Sequence, residues 1–174
     1  GRRNRALLLL YANTGARLNE ILADPKNDRT GILDIHVNFE TREVLLFGKG
    51  RKERIVGISP NTAKAMYIYN QMVRKRWPVK KTSAFWVTEE GRPLTGEAYR
   101  QVMQDISNRL NIDLTTHDLR RYFITAALEG GMNETAVMHL TGHTSHQMIQ
   151  RYSKTYQAAH ARQQLEKISP VAGL

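Results

Sequence analysis

One window of this chain, from Gly31 to Ile58, has the texture of β-structure, and most of what surrounds it is spaced like helix. The window reads Ile32-Leu33-Asp34-Ile35-His36-Val37, then Glu43-Val44-Leu45-Leu46-Phe47, then Ile55-Val56-Gly57-Ile58. Glu40-Thr41-Arg42 and Gly48-Lys49-Gly50 separate the three runs, so three short antiparallel strands are the economical reading. A sheet this small cannot organise the whole chain. The pattern therefore predicts a mainly α fold with a small three-stranded antiparallel β-sheet near its start, an α+β class.

The helical segments carry their own punctuation. Arg5 to Asn13 suits a helix broken by Thr14-Gly15, and a short amphipathic turn with Leu18, Ile21 and Leu22 follows, ended by Pro25. Ser59-Pro60 opens a helix whose apolar face is Ala65, Met66, Tyr69, Met72, Val73 and Trp77. Ala84 to Thr88 reads as a lone short strand, and Thr95 with Glu97 starts a helix reaching about Leu110. Thr116 is placed to cap a helix running to Gly130-Gly131, Asn133 one stopped by Gly142, and Ser145 a third carrying Met148, Ile149 and Tyr152. A polar helix from Gln157 to Lys167 ends the set. No repeat, low-complexity tract or long linker divides the chain, which reads as one unit over 1–156 and a tail over 157–174.

Charge narrows the partners. The 174 residues carry a formal net charge of +10, and ten Lys/Arg lie between Lys49 and Lys81 against the single acid Glu53. Such an excess suits a polyanion, because cations that neutralise phosphates release condensed counterions. A solvated basic face is the other reading, and charge alone leaves both open. The absence of cysteine removes disulfides, thiolate metal sites and cysteine nucleophiles, and fits a reducing cytoplasm. The longest apolar run, Ala6 to Leu10, is far too short for a bilayer span.

Four islands carry groups able to do chemistry. Thr14-Gly15-Ala16-Arg17-Leu18-Asn19-Glu20 sets an arginine and a carboxylate three apart after a glycine, which an intrahelical ion pair also explains. Gly48-Lys49-Gly50-Arg51-Lys52-Glu53-Arg54 presents a lysine between two glycines, where a backbone turns tightly and approaches a ligand closely. His117 and Arg120 fall on one face at a helix start, a plausible phosphate seat or an ordinary surface pair. Gly142-His143 is followed nine residues on by Tyr152, which also fits a core aromatic with its hydroxyl at the rim.

In their order along the chain, these islands resemble the catalytic domain of the tyrosine recombinase (phage integrase) family, from about Leu7 to Tyr156. The resemblance implies that Arg17, Lys49, His117, Arg120 and His143 form the active site, that Tyr152 is the nucleophile, and that Glu20 supports Arg17. Tyr156 is a rival nucleophile one turn on; the nine-residue spacing favours Tyr152. Thr141 departs from the apolar residue the family has before Gly-His. Arg51, Lys52, Arg54, Lys80 and Lys81 are expected to contact DNA, as phosphate contacts more than as base readers.

The implied activity is site-specific recombination or integration: DNA is cleaved and rejoined through a 3′-phosphotyrosyl intermediate, with no metal, ATP or other cofactor. The implied partner is double-stranded DNA, bound by a homo-tetramer whose free form is a monomer or weak dimer, and the implied location is the cytoplasm, for a protein that is prokaryotic or encoded by a phage, plasmid or other mobile genetic element. Family members also carry an N-terminal DNA-clamping domain, so a chain beginning at Gly1 without one is expected to be a fragment. The tail from Gln157 to Leu174 is expected either to dock on a neighbouring protomer or to fray. Two other readings fit the same residues, a type IB topoisomerase and a non-catalytic DNA-binding module.

Overall fold

The computed structural model describes residues 1–27, 31–48, 50, 52–77, 82–147 and 149. Its first helix, α1 (Arg2–Thr14), buries Ala6, Leu7, Leu10 and Tyr11 and ends at Gly15, whose N–H donates to Tyr11 O at 2.9 Å. Gly15 is left-handed, with φ 57°, and a Cβ there would stand 2.5 Å from Phe123 Cδ1. Only glycine satisfies both conditions. The chain turns at once into the single turn α2 (Leu18–Ile21), which stops well before Pro25; that proline begins a separate 3₁₀ turn.

The sheet is antiparallel in the order β1 (Val37–Asn38), β2 (Glu43–Phe47), β3 (Glu53–Gly57). Val37 pairs with Val44, Leu45 with Ile55 and Leu46 with Arg54. Strict alternation turns Val44 and Leu46 of β2, and Arg54 and Val56 of β3, to the buried face. The expected first strand shrinks to two residues. Asp34–His36 forms a 3₁₀ turn in which Leu33 N–H donates to His36 Nδ1 at 3.1 Å, and Ile35 is left 86% exposed. A side chain that satisfies a backbone donor locally removes the need for a ladder partner there.

The next helix, α3 (Pro60–Met72), starts as expected, with Ser59 Oγ accepting from Thr62 N–H at 3.3 Å. It stops at Met72, so Val73 and Trp77 of the expected apolar face flank a 3₁₀ turn, Arg74–Arg76, and Met72 itself is exposed. The lone strand expected over Ala84 to Thr88 is present only as isolated bridges, Leu33 with Ala84 and Val87 with Pro93. Then come the helices α4 (Gly96–Leu110), α5 (Thr116–Glu129) and α6 (Glu134–Thr141). Thr95 and Asn133 cap α4 and α6 through their side chains. For α5 the cap is Thr115, not Thr116: its Oγ1 accepts from Asp118 N–H while Asp118 Oδ2 accepts from Thr115 N–H.

Packing gathers these elements around α1, which lies against both α3 and α5. The main core includes Leu7, Leu10, Tyr11, Ile21, Met66, Tyr69, Phe85, Trp86 and Tyr99, all almost fully buried. A smaller cluster of Ile124, Leu128, Val137 and Ile149 joins α5 to α6. Among the described residues, no helix is long and apolar enough to cross a membrane.

Tyr69 is a polar joint inside the larger core. Its ring stacks on Trp86 at 4.9 Å, its hydroxyl donates to Phe85 O at 3.2 Å, and it accepts from Val87 N–H at 3.0 Å. Tyr69→Phe leaves that amide and carbonyl without a partner, so the unfolding free energy should fall by about 1–3 kcal/mol with an unchanged denaturant slope. Urea unfolding followed by tryptophan fluorescence reads both quantities.

Candidate active site

Two helix ends meet at one place. Gly15 closes α1 and Gly142 closes α6, both in the left-handed conformation, and each is followed within two residues by a site side chain, Arg17 and His143. The carbonyls of these glycines are exchanged between the two segments. Arg17 Nη2 donates to Gly142 O at 2.9 Å, and Arg120 Nη1, from the second turn of α5, donates to Gly15 O. The N-terminal and C-terminal parts of the site are thus bonded across 125 and 105 residues of sequence.

Beneath this crossing lies Glu20, its side chain only 1% exposed. It accepts the Arg17 backbone N–H at 2.6 Å, and Arg17 Nη1 stands 3.3 Å away. Its main partner is Arg54, whose Nη1 and Nη2 reach the two carboxylate oxygens at 2.9 and 2.6 Å. Arg54 Nε donates to Leu140 O at 2.9 Å, so one guanidinium ties β3 to α2 and to the end of α6. Burial pushes the Glu20 carboxyl upward, but the Arg54 and Arg17 hydrogen bonds and charges outweigh it and hold it below the usual range.

Arg54 is therefore not the DNA-contacting cation that its place in the basic run suggested. Its side chain is 7% exposed and its nitrogens are committed to Glu20 and Leu140. The alternation of β3 put it inward beside Val56, where a lone charge would be intolerable without Glu20.

His143 is half-buried against Arg120, whose Nη2 lies 2.9 Å from Nε2 and 3.3 Å from Nδ1. Thr141 Oγ1, fully buried, stands 2.7 Å from Nδ1. Burial, with Arg120, Arg17 and Arg54 nearby, lowers the imidazole to about 4, so the ring is neutral near pH 7. Three guanidiniums against one carboxylate leave two positive charges in excess, and the Arg17 side chain keeps 43% of its surface exposed. An arrangement of fixed cations and a neutral imidazole can seat a phosphodiester and move a proton beside it.

The structure thus brings Arg17, Glu20, Arg120 and His143 together. His117 is exposed in the first turn of α5, and Lys52 is exposed, its carbonyl accepting from Gly48 N–H at 2.8 Å. Lys49, Arg51, Lys80, Lys81, Tyr152 and the rival Tyr156 lie outside the described residues, as does the tail over 157–174. Among the described residues, no group of three or more His, Cys, Asp or Glu is placed to hold a metal ion.

A model of the phage integrase family matches residues 1–159, and the chain belongs to that family. Tyrosine recombinase XerD of Mycobacterium tuberculosis is 35% identical over 157 residues, which cover 87% of this chain and 47% of the relative. Tyrosine recombinase XerC of Actinobacillus succinogenes is 34% identical over 153 residues, covering 87% and 48%. The chain spans about half the length of the curated relatives it matches. Among solved structures, XerA recombinase superposes with a TM-score of 0.78 at 20% identity, covering 97% of this chain and 57% of that one. XerH recombinase bound to a palindromic difH substrate superposes with a TM-score of 0.75 at 22% identity, covering 99% and 46%. The mainly α architecture with its small antiparallel sheet is the fold of these recombinases.

Two outcomes follow from the electrostatics. Arg54→Met strands a buried carboxylate and should cost about 3–5 kcal/mol of stability at pH 7. A carboxyl held low when folded stabilises above its unfolded pKa and loses that contribution as pH falls through the folded value. Without Arg54 the burial penalty prevails, so acid unfolding should begin at a higher pH, as urea melts between pH 7 and 3 would show. For His143, NMR titration of the ring should find protonation only near pH 4. Because the folded state binds that proton less tightly than the unfolded chain, stability falls as pH drops below about 6.5 toward 4.

Proposed function

We propose that this chain is the catalytic part of a site-specific DNA recombinase that cleaves and rejoins double-stranded DNA through a 3′-phosphotyrosyl intermediate. The observation that carries the reading is the crossed pair of arginines, Arg17 on Gly142 and Arg120 on Gly15, set around a neutral His143 in a phage integrase family chain.

In the proposed reaction Arg17 and Arg120 hold the scissile phosphate. Their planar forks donate paired hydrogen bonds and keep their charge at any working pH. Tyr152 Oη attacks phosphorus, the bond to the 5′-oxygen breaks, and Lys49 gives that oxygen a proton. The tyrosine proton passes to a histidine of the site, His117 or His143. Charge gathered in the transition state meets cations whose positions are already fixed, so little reorganisation is needed when the bond breaks. The phosphotyrosyl link conserves the energy of the cleaved bond, and attack by another 5′-hydroxyl rejoins DNA without ATP. Glu20 and Arg54 position Arg17 and take no part in bond making.

Exchange between two duplexes requires several such centres, so the reading includes assembly as a homo-tetramer on paired DNA sites, in the cytoplasm. XerH is bound to its difH substrate in structures of this fold, which supports DNA as the partner.

The test is an assay in EDTA on supercoiled plasmid, scored for relaxation and for an SDS-stable protein–DNA adduct. The wild-type chain should form the adduct, Tyr152→Phe should abolish it, and Tyr156→Phe should retain it. An adduct that survives Tyr152→Phe removes the assigned nucleophile, and DNA binding without any adduct favours a non-catalytic module. Paired-site substrates then distinguish strand exchange from the relaxation a type IB topoisomerase would give.

A further inference from the structure

Thr14, the last residue of α1, is almost fully buried, and its hydroxyl joins two backbone groups at the turn into the site. Oγ1 donates to Leu10 O at 2.7 Å and accepts from Ala16 N–H at 3.3 Å. A hydroxyl has one proton and two lone pairs, so one side chain serves both bonds at once. The second bond reaches forward past the end of the helix, across Gly15 and its left-handed backbone.

Ala16 N–H belongs to the same peptide unit as Gly15 O, the carbonyl that accepts Arg120 Nη1. Such a unit is planar and trans, so its N–H and C=O point in opposite directions and turn together. Holding the amide on Thr14 therefore aims the carbonyl at Arg120. The next unit is held in the same way, since its amide, Arg17 N–H, donates to Glu20 Oε2 at 2.6 Å. Two successive peptide planes are thus locked by two side chains, beside the two arginines that cross at the site. Packing limits any substitute for the hydroxyl. Ala16 is 2% exposed, and Phe123 and Thr141 crowd Gly15 so closely that a Cβ there would stand 3.1 Å from Thr141 Cγ2.

We propose that Thr14 is a positioning residue whose hydroxyl, by fixing the plane of the Gly15–Ala16 peptide, sets where the Arg120 guanidinium stands relative to Arg17. The hydrogen-bond relay stands on the contacts alone; its consequence for DNA cleavage rests on the recombinase reading, in which both arginines hold one phosphate. Without the hydroxyl, Arg120 keeps its charge, but the Ala16 amide must turn to find another acceptor. The Gly15 carbonyl turns with it, and the guanidinium loses its fixed seat. Misalignment of that kind weakens the hold on the transition state more than the hold on the duplex, whose affinity is spread over many phosphates.

NMR of the wild-type chain, of Thr14→Val, which keeps the shape, and of Thr14→Ser, which keeps the hydroxyl, reads the relay. In wild type the Thr14 hydroxyl proton should exchange slowly enough to be seen and show a cross-peak to Ala16 N–H. In Thr14→Val the Ala16 amide should exchange roughly fivefold faster, the weight of one neutral hydrogen bond, and the Arg120 side-chain resonances should shift. Thr14→Ser should restore both. A wild-type hydroxyl without that cross-peak, or a folded Thr14→Val with unchanged Arg120 resonances, overturns the proposal; if Thr14→Val does not fold, the wild-type cross-peak decides. Adduct formation on supercoiled plasmid, with protein in saturating excess, should slow by roughly tenfold to a hundredfold in Thr14→Val while DNA affinity changes little, and recover in Thr14→Ser. Shifted Arg120 resonances with an unchanged adduct rate, or lost affinity with an unchanged rate at saturation, defeat the positioning role. If the wild-type chain forms no adduct, the recombinase reading fails while the spectra still judge the relay.

Discussion

Everything in the site rests on a buried carboxylate. Glu20 is almost inaccessible to solvent, and its two oxygens hold a guanidinium fork from β3, a second guanidinium and a backbone amide from the entry to α2. Placing a charge there is costly, and the cost is offset only because Arg54 matches both oxygens at once. A lysine would bring one point of charge and could not also reach Leu140 O through Nε, as Arg54 does. The interaction is therefore less a source of net stability than a specification. It admits one relative placement of α2, β3 and the end of α6, and that placement sets Arg17 beside Gly142.

Glycine makes the second half of the arrangement possible. At Gly142 a Cβ would stand 3.1 Å from Arg54 Nη1 and 3.2 Å from Arg17 Nη1, on a backbone with φ 67°. The chain passes over two guanidiniums with only hydrogen on its Cα, and its carbonyl turns down to receive one of them. A left-handed helix end is ordinarily a way to stop a helix. Here the same geometry exposes a carbonyl at a fixed angle to a cation, and it does so twice, at Gly15 for Arg120 and at Gly142 for Arg17.

How much of this was legible in the sequence depended on whether the deciding interaction was local. Caps such as Ser59, Thr95 and Asn133 bond within three residues of themselves, and those helices start where expected. Thr115 and Thr116 compete for the same cap, and the reciprocal bond to Asp118 decides for Thr115. The run Ile32 to Val37 has the composition of a strand, yet the His36 ring captures a backbone amide and bends it into a turn. Arg54 is the instructive case. Its neighbours in sequence are basic, which suggested a DNA contact, whereas its period-two relation to Val56 was the signal that it faces inward. What sequence does not display is the partner, Glu20, 34 residues away.

The crossed carbonyl bonds also bear on when this site first takes shape. Arg17 is synthesised early, but the carbonyl that holds it belongs to a residue 125 positions later, and Arg120 must reach back 105 positions to Gly15. Closing loops of that length is slow, since their entropy must be overcome before the contacts they bring return anything. A nascent or locally opened chain keeps its arginines but not their alignment. The aligned arginines are in this sense a signature of completed folding, present only where both ends of the chain have met.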